Sequence, residues 1–472
     1  MDEEKLSLKT KLFYASGDIY GGGAFNIINF FYAIFLTDVV GLKMHYIAPI
    51  LLIGKIWDAV TDPLMGLISD NTRTKWGRRR PYFLAGTFLI FISFFILWYP
   101  VSFPTQVGKF VYALVAYLIF TTVFTMVMTP YSALGAELTL DYHERTSLNS
   151  YRLAFSIGSG LVCAVLPMLI VNAFDDIKTG YIVMAIVFGL IFSLPWIGVF
   201  LYTKEREDFS QEKKSFNFFE LFFEPFKIKS FRLLIFMYLF AYLAIDVVST
   251  VFAYYTKYYL GNEAVLPIAL GTLFIAEILF IPVYGAIAKK TSKNISYIIG
   301  AIVWCIAGVV LFTLPPDVGT FQVVLMAAII GAGISAVAVM PHAMFGDVTD
   351  VAELVFGKRE EGTLSGLMTF IRKVASGLAV AGVTFSMGLA GFINPVDGVE
   401  FTQPPSFLFA LRFIISFVPL ILMTFGIIVA IRYPLVSRDH KKLIKYLEDK
   451  RKGIPVSPEL EKEILELQKK LV

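Results

Sequence analysis

Residues 55–66 read KIWDAVTDPLMG, a stretch that places Asp58 and Asp62 four residues apart inside a long apolar run. At that spacing the two carboxylates share one helical face, a single turn from each other. A carboxylate near the centre of a bilayer costs about 2.5–3.5 kcal/mol on insertion scales. Two of them side by side repel, so the pair takes up a proton or attracts a cation. Thr61 adds a hydroxyl near that face, and Pro63 frees a backbone carbonyl one turn back. Carboxylate, hydroxyl and carbonyl oxygens are the hard ligands a small cation takes. The competing reading is that the aspartates merely pair with Lys75 or Arg78 in the following loop. Asp62 lies eight residues before Asp70, too deep in the run for that reading to be preferred.

The remainder of the chain supplies the apolar setting. Of 472 residues 57% are apolar and only 17% charged, and the mean hydropathy is +0.70. That composition belongs to membrane proteins. A formal charge of +4, spread over short loops, excludes a nucleic-acid partner. Cys163 and Cys305 sit in apolar runs, which leaves neither a disulfide framework nor a metal cluster. The start, MDEEKLSLKT, is polar and charged, so no cleavable signal peptide is expected. No P-loop, His-Glu-x-x-His or nucleophile-elbow pattern occurs, so the chain reads as no enzyme and needs no cofactor.

A bilayer core of roughly 30 Å takes about 20 apolar helical residues. Runs of that kind fall near 12–37, 45–69, 82–103, 109–137, 148–173 and 179–203, then near 231–260, 264–288, 295–314, 319–346, 361–391 and 406–432. The expected fold is an all-α membrane protein with about twelve transmembrane helices. One set of loops holds Arg73, Lys75, Arg78, Arg79, Arg80, Arg145, Lys204, Lys289, Lys290 and Lys293, while the alternate set offers little beyond Lys43, Lys109, Lys178 and Lys257. The positive-inside rule then puts both termini in the cytoplasm. FNFFELFFEPFK (216–227) is too short and too charged to span and reads as an interfacial amphipathic helix. After Tyr433 the tail alternates charged and apolar residues as a cytoplasmic helix does.

Short phrases recur half a chain apart. Pro63-Leu-Met-Gly66 is matched by Pro282-Val-Tyr-Gly285, Pro130–Gly135 by Pro341–Gly346, and Glu144-Arg-Thr by Glu361-Gly-Thr. Three matches in order predict two pseudo-symmetric six-helix halves, 1–203 and 231–432, joined by a cytoplasmic linker at 204–230 and followed by the tail 433–472. Duplicated halves of this kind build transporters with a midplane substrate site.

Other charges lie inside the runs. Lys373, in TFIRKVASGLAVAG, needs an anionic partner, and the aspartate pair of the other half is the candidate. Asp18 and Arg152 either line a hydrophilic cavity or brace it by pairing with each other. Arg372 is read as snorkelling, His342 as a hydrogen-bonded helix-end residue, and Asp246, Glu277 and Arg412 as structural.

KIWDAVTDPLMG, SDNTRTKWGRRRPY, PYSALGAELTLDYHERTSLNSYR and GKREEGTLSGLMTFIRK together resemble the glycoside–pentoside–hexuronide:cation symporters, the melibiose-permease family within the major facilitator superfamily. The resemblance runs over nearly the whole chain and implies the major facilitator fold. It implies that Asp58 and Asp62 bind the coupling Na⁺, Li⁺ or H⁺, with Thr61 standing where the permease has an asparagine and Thr125 matching a fourth-helix threonine. Lys373 corresponds to the lysine near that cation site, Asp18 to the aspartate that hydrogen-bonds sugar hydroxyls, and Arg152 to the fifth-helix arginine. Tyr131 and Lys373 are further candidate solute contacts, and Tyr20 a candidate for stacking on a sugar ring. Gly66, Asp70, Gly77, Arg78 and Arg79 form a stretched version of the facilitator loop motif, so Asp70, Arg78 and Arg79 are expected to latch the cytoplasmic side. Around Pro130 the chain departs from the permease, with Met128 and Tyr131-Ser132 in place of a carboxylate and a tryptophan. No galactoside specificity is therefore implied. PYSAL followed by ER and YR is also similar to the vertebrate lysolipid symporters. The expectation is a monomeric, cation-coupled importer of a sugar or sugar acid in a bacterial or archaeal cytoplasmic membrane.

Overall fold

The computed structural model describes residues 6–139, 141–205, 224–357, 361–395, 401–435, 437–451, 454–455 and 457–471. Among these residues the chain is helical, with one isolated bridge between Thr74 and Gly77. Among the described residues ten helical segments are long and apolar enough to cross a membrane, and they coincide with ten of the twelve expected runs. The remaining two runs are helical as well. Met44–Asn71 holds 28 residues but carries Lys55, Asp58, Asp62 and Asp70, which lower its hydropathy. The first run is interrupted: Leu8–Ser16 and Asp18–Ile27 meet at Gly17, and two π-helical turns, Ile28–Tyr32 and Phe35–Val39, follow. The twelve-helix expectation therefore holds. Most of the proposed linker helix, including 216–223, lies outside the described residues; Glu224–Lys227 is a short 3₁₀ turn.

The chain divides into two compact units. The first comprises Met1–Glu212, Ser249–Gly271 and Gly377–Leu411. Within it, small residues set the helix spacing. A Cβ on Gly22 would stand 2.7 Å from the backbone oxygen of Ser156, so Asp18–Ile27 lies directly against Tyr142–Val171, as small residues permit in membranes. Side-chain caps begin several helices. The Asp141 carboxylate accepts from the Glu144 N–H at 2.7 Å, and Asp176 accepts from the N–H groups of Lys178 and Thr179. An aromatic core containing Tyr32, Trp98, Tyr117 and Phe120 is fully buried among these helices.

The second unit comprises Lys213–Val248, Thr272–Ser376 and Arg412–Val472. Its helices Lys293–Thr313 and Thr320–Phe356 approach closely where Gly300 meets Ala336, a Cβ on the glycine falling 2.3 Å from the alanine methyl. The tail forms two helices, Ser437–Arg451 and Pro458–Leu471, with Pro455 between them. Leu443, Leu447, Ile464, Leu467 and Leu471 are buried. His440 approaches Asp350 at 2.9 Å, and Arg451 pairs with Glu353, which ties the tail to the end of Thr320–Phe356.

Candidate functional site

Helix Met44–Asn71 presents Asp58, Thr61 and Asp62 on one side, and helix Gln106–Glu137 presents Thr125 to them. The two helices come close because Gly54 faces Tyr117: a Cβ there would fall 2.0 Å from the ring. The Thr125 hydroxyl lies 3.0 Å from Asp58 Oδ1 and 2.9 Å from Asp62 Oδ1. It has one proton and so donates to one carboxylate at a time. Thr61 Oγ1 stands 3.4 Å from Thr125 Oγ1 and 3.3 Å from the Asp58 carbonyl oxygen. Asp58 is 1% exposed and Asp62 half-buried. The four residues expected to hold a cation are thus brought together. Among the described residues no group of three or more His, Cys, Asp or Glu side chains suits a metal ion. Two carboxylates and two hydroxyls are oxygen donors, which suit a hard cation rather than zinc or copper.

One helix away, Arg152 Nε lies 2.6 Å from Asp18 Oδ2, with Nη2 at 3.5 Å from Oδ1. The guanidinium also lies over the Tyr131 ring at 4.8 Å and the Tyr14 ring at 5.7 Å. Tyr14 and Tyr131 stack at 4.5 Å, and each hydroxyl donates to the other residue's carbonyl oxygen at 2.8 Å. The Tyr131 hydroxyl is 3.3 Å from Asp18 Oδ2. Asp18 and Arg152 therefore pair, and buried Tyr131 braces the pair from behind. Tyr20 is fully buried, its ring surrounded by Phe120, Phe124, Phe192 and Trp196. With its ring enclosed by these side chains, Tyr20 offers no stacking surface to a sugar in this structure. Lys373 belongs to the second unit, half-buried on helix Glu361–Leu389 beside Arg372.

The loop after Met44–Asn71 holds a dense ion network. Arg79 Nη2 meets Asp70 at 3.0 Å, and Glu137 receives Arg78 at 2.7 Å and Arg79 at 2.9 Å. The Glu205 carboxylate accepts from the backbone N–H groups of Arg78, Arg79 and Arg80 at 2.8–3.0 Å. It thereby caps the helix Arg80–Trp98 from a distant part of the chain. Gly77 makes this possible, with φ +106 and a would-be Cβ 2.5 Å from the Glu205 carboxylate. Gly77→Ala is expected to destabilise the protein by about 1 kcal/mol or more, because alanine meets both an unfavourable φ and the carboxylate. A melting curve in detergent checks it.

Reasoning from sequence missed Glu137 and Glu205, since each follows an apolar run and nothing local ties it to residue 78. It also missed a second cluster of charged and polar side chains. Lys257 Nζ lies 2.9 Å from Asp38 and 2.8 Å from Glu263, and the Tyr258 hydroxyl donates to Asp38 at 2.8 Å. Thr37 and Tyr254 are in hydrogen-bond contact at 3.0 Å, and Asn394 donates to the carbonyls of Thr37 and Leu42. The available signal was an acid just past the run near 12–37 and a base near the end of the run near 231–260.

The family model for MFS/sugar transport proteins matches residues 13–437. An uncharacterized symporter of Synechocystis is 29% identical, over 96% of this chain and 99% of its own. A sodium-dependent lysophosphatidylcholine symporter of Danio rerio is 26% identical, over 96% of this chain and 91% of its own. Among solved structures, a D-xylose-proton symporter shares the fold with a TM-score of 0.65 at 14% identity, covering 90% of this chain and 96% of that one.

Proposed function

The chain belongs to the MFS/sugar transport family, and on that premise we propose that it is a cation-coupled symporter importing a glycoside, pentoside or hexuronide by alternating access. The observation that carries this reading is the Thr125 hydroxyl poised between Asp58 and Asp62. A cation entering there is held by both carboxylates and the hydroxyls of Thr61 and Thr125, and it removes the repulsion between the two acids. Lys373 is the coupling residue, competing with the cation for the same negative charge. Asp18 and Arg152 meet solute hydroxyls, with Lys373 as a further contact and Tyr131 keeping Asp18 in place. By linkage, cation and solute strengthen each other's binding by the same factor, commonly about 1–3 kcal/mol.

In this reading the halves 1–203 and 231–432 alternate in a cytoplasmic membrane, the termini face the cytoplasm, and the transporter works as a monomer. Asp70, Arg78 and Arg79 form the inner gate, held in place within the first half by Glu137 and from the linker by Glu205. Asp38 and Lys257 latch the outer side. Lys257→Met should loosen that outer latch and raise, severalfold, the labelling of a cysteine introduced at Asn394 by a membrane-impermeant maleimide. Unchanged labelling removes the latch role from Lys257.

Uptake into proteoliposomes, scanning sugars against imposed Na⁺ and pH gradients, tests the proposal. Saturable accumulation of one sugar that follows one gradient is the expected result, and flux that ignores both gradients refutes it. The Danio rerio relative supports a second reading, an amphiphilic lysolipid as cargo. Competition between lysophosphatidylcholine and the sugars for binding separates the two.

A further inference from the structure

The internal repeat extends into the charged residues. Tyr14 and Asp18 stand four apart on the first run; Tyr242 and Asp246 stand four apart on helix Lys229–Tyr254, the first of the other half. Arg152 lies on the fifth helix of its half and Arg372 on the corresponding helix Glu361–Leu389. Tyr131 follows Pro130, and His342 follows Pro341. The contacts repeat with the positions. Arg372 does not snorkel: its Nη1 lies 2.8 Å from Asp246 Oδ2 and its Nη2 3.0 Å from Oδ1. Its guanidinium sits over the Tyr242 ring at 4.9 Å, against 5.7 Å for Arg152 over the corresponding Tyr14.

One difference separates the two clusters. In the first half the Tyr131 hydroxyl is turned inward, onto a backbone carbonyl. In the second half the Tyr242 hydroxyl meets His342 Nε2 at 3.0 Å in an exposed contact, and His342 itself is exposed. Tyr242 sits midway along its 26-residue helix. An open hydroxyl–imidazole pair beside an ion pair at that depth is costly against lipid and suits a water-filled cavity. As a brace alone the ion pair is a poor choice, since apolar residues of similar volume often stabilise as well or better.

We propose that Asp246, Arg372, Tyr242 and His342 form a second solute-binding subsite, the repeat counterpart of Asp18, Arg152, Tyr14 and Tyr131, which takes adjacent hydroxyls of a sugar ring. The inference rests on the sugar-transport reading. One hydroxyl donates to the Asp246 carboxylate while its neighbour accepts from Arg372, whose guanidinium carries five N–H donors and engages Asp246 with two. Tyr242 and His342 supply a donor and an acceptor at the open edge.

Isothermal titration of the purified full-length protein with D-xylose, D-glucuronate and methyl β-D-glucoside tests this, with Na⁺-induced thermal stabilisation as a parallel reading of the cation site. Arg372→Lys should weaken binding of the accepted sugar about tenfold or more, as loss of a hydrogen bond to a charged group does. Tyr242→Phe and His342→Phe, which strand no buried charge, should weaken it severalfold. All three should keep the wild-type response to Na⁺. Sugar affinity within twofold of wild type in folded Tyr242→Phe and His342→Phe overturns the subsite and leaves the transport reading standing. Loss of the Na⁺ response together with sugar binding overturns a separate subsite too. If no sugar in the panel binds the wild-type protein, the sugar reading fails and the subsite falls with it.

Discussion

Asp58→Asn is expected to abolish gradient-driven accumulation of solute in proteoliposomes, while the protein still folds and inserts. Asn keeps the volume and one acceptor oxygen, so packing around this 1%-exposed residue is preserved. What goes is half of the negative charge, and the new amide N–H₂ brings a donor where a cation needs an oxygen. Thr125, placed between the two side chains, then faces one carboxylate and one neutral amide instead of two carboxylates. The loss of coupling appears as a fall in cation-stimulated solute affinity of about 5–150-fold, the range of coupling energies between linked sites. Solute exchange without a gradient should survive better than accumulation, because the Asp18–Arg152 pair is untouched. A variant that concentrates solute as wild type does, with the same ion dependence, removes Asp58 from the cation site.

The largest effect on stability is expected from Glu137→Ala. Glu137 receives both Arg78 and Arg79, and the side chains of Arg79 and Glu137 are only 3% and 9% exposed. Removing one partner of a buried ion pair costs about 3–5 kcal/mol when the other charge is stranded. Here Asp70 still serves Arg79 and Glu205 still serves Arg78, so about 3 kcal/mol is expected. Melting in detergent should show a clear downward shift, and Glu137→Gln, which keeps an acceptor, should recover part of it. An unshifted melting curve for Glu137→Ala means that the arginines find other partners and that the network is not what holds the loop.

Much of the molecule was legible without coordinates, because a bilayer imposes strict rules on composition. Ten of the expected runs emerged as spans; Met44–Asn71 falls short because of the very charges that drew attention, and the first run because its helix is interrupted at Gly17. Asp58, Thr61 and Asp62 share a helical face by spacing alone. Thr125 entered through resemblance, and its distance to both acids came only with the fold. Arg372 shows the limit of local reading. Its own helix suggests a side chain reaching for the interface, whereas Asp246, 126 residues away in sequence, holds it.

The sequence by itself determined the class of the molecule, its span count and the spacing of the aspartate pair, since these follow from hydropathy and helical periodicity, both properties of neighbouring residues. Only the tertiary structure decided that Glu137 and Glu205 anchor the arginine loop, that Tyr20 is walled in by aromatic rings, and that Asp246 and Arg372 repeat the arrangement of Asp18 and Arg152. The physical reason is that ion pairs and ring contacts act over a few ångströms in space, and helices distant along the chain reach that range only after they have packed.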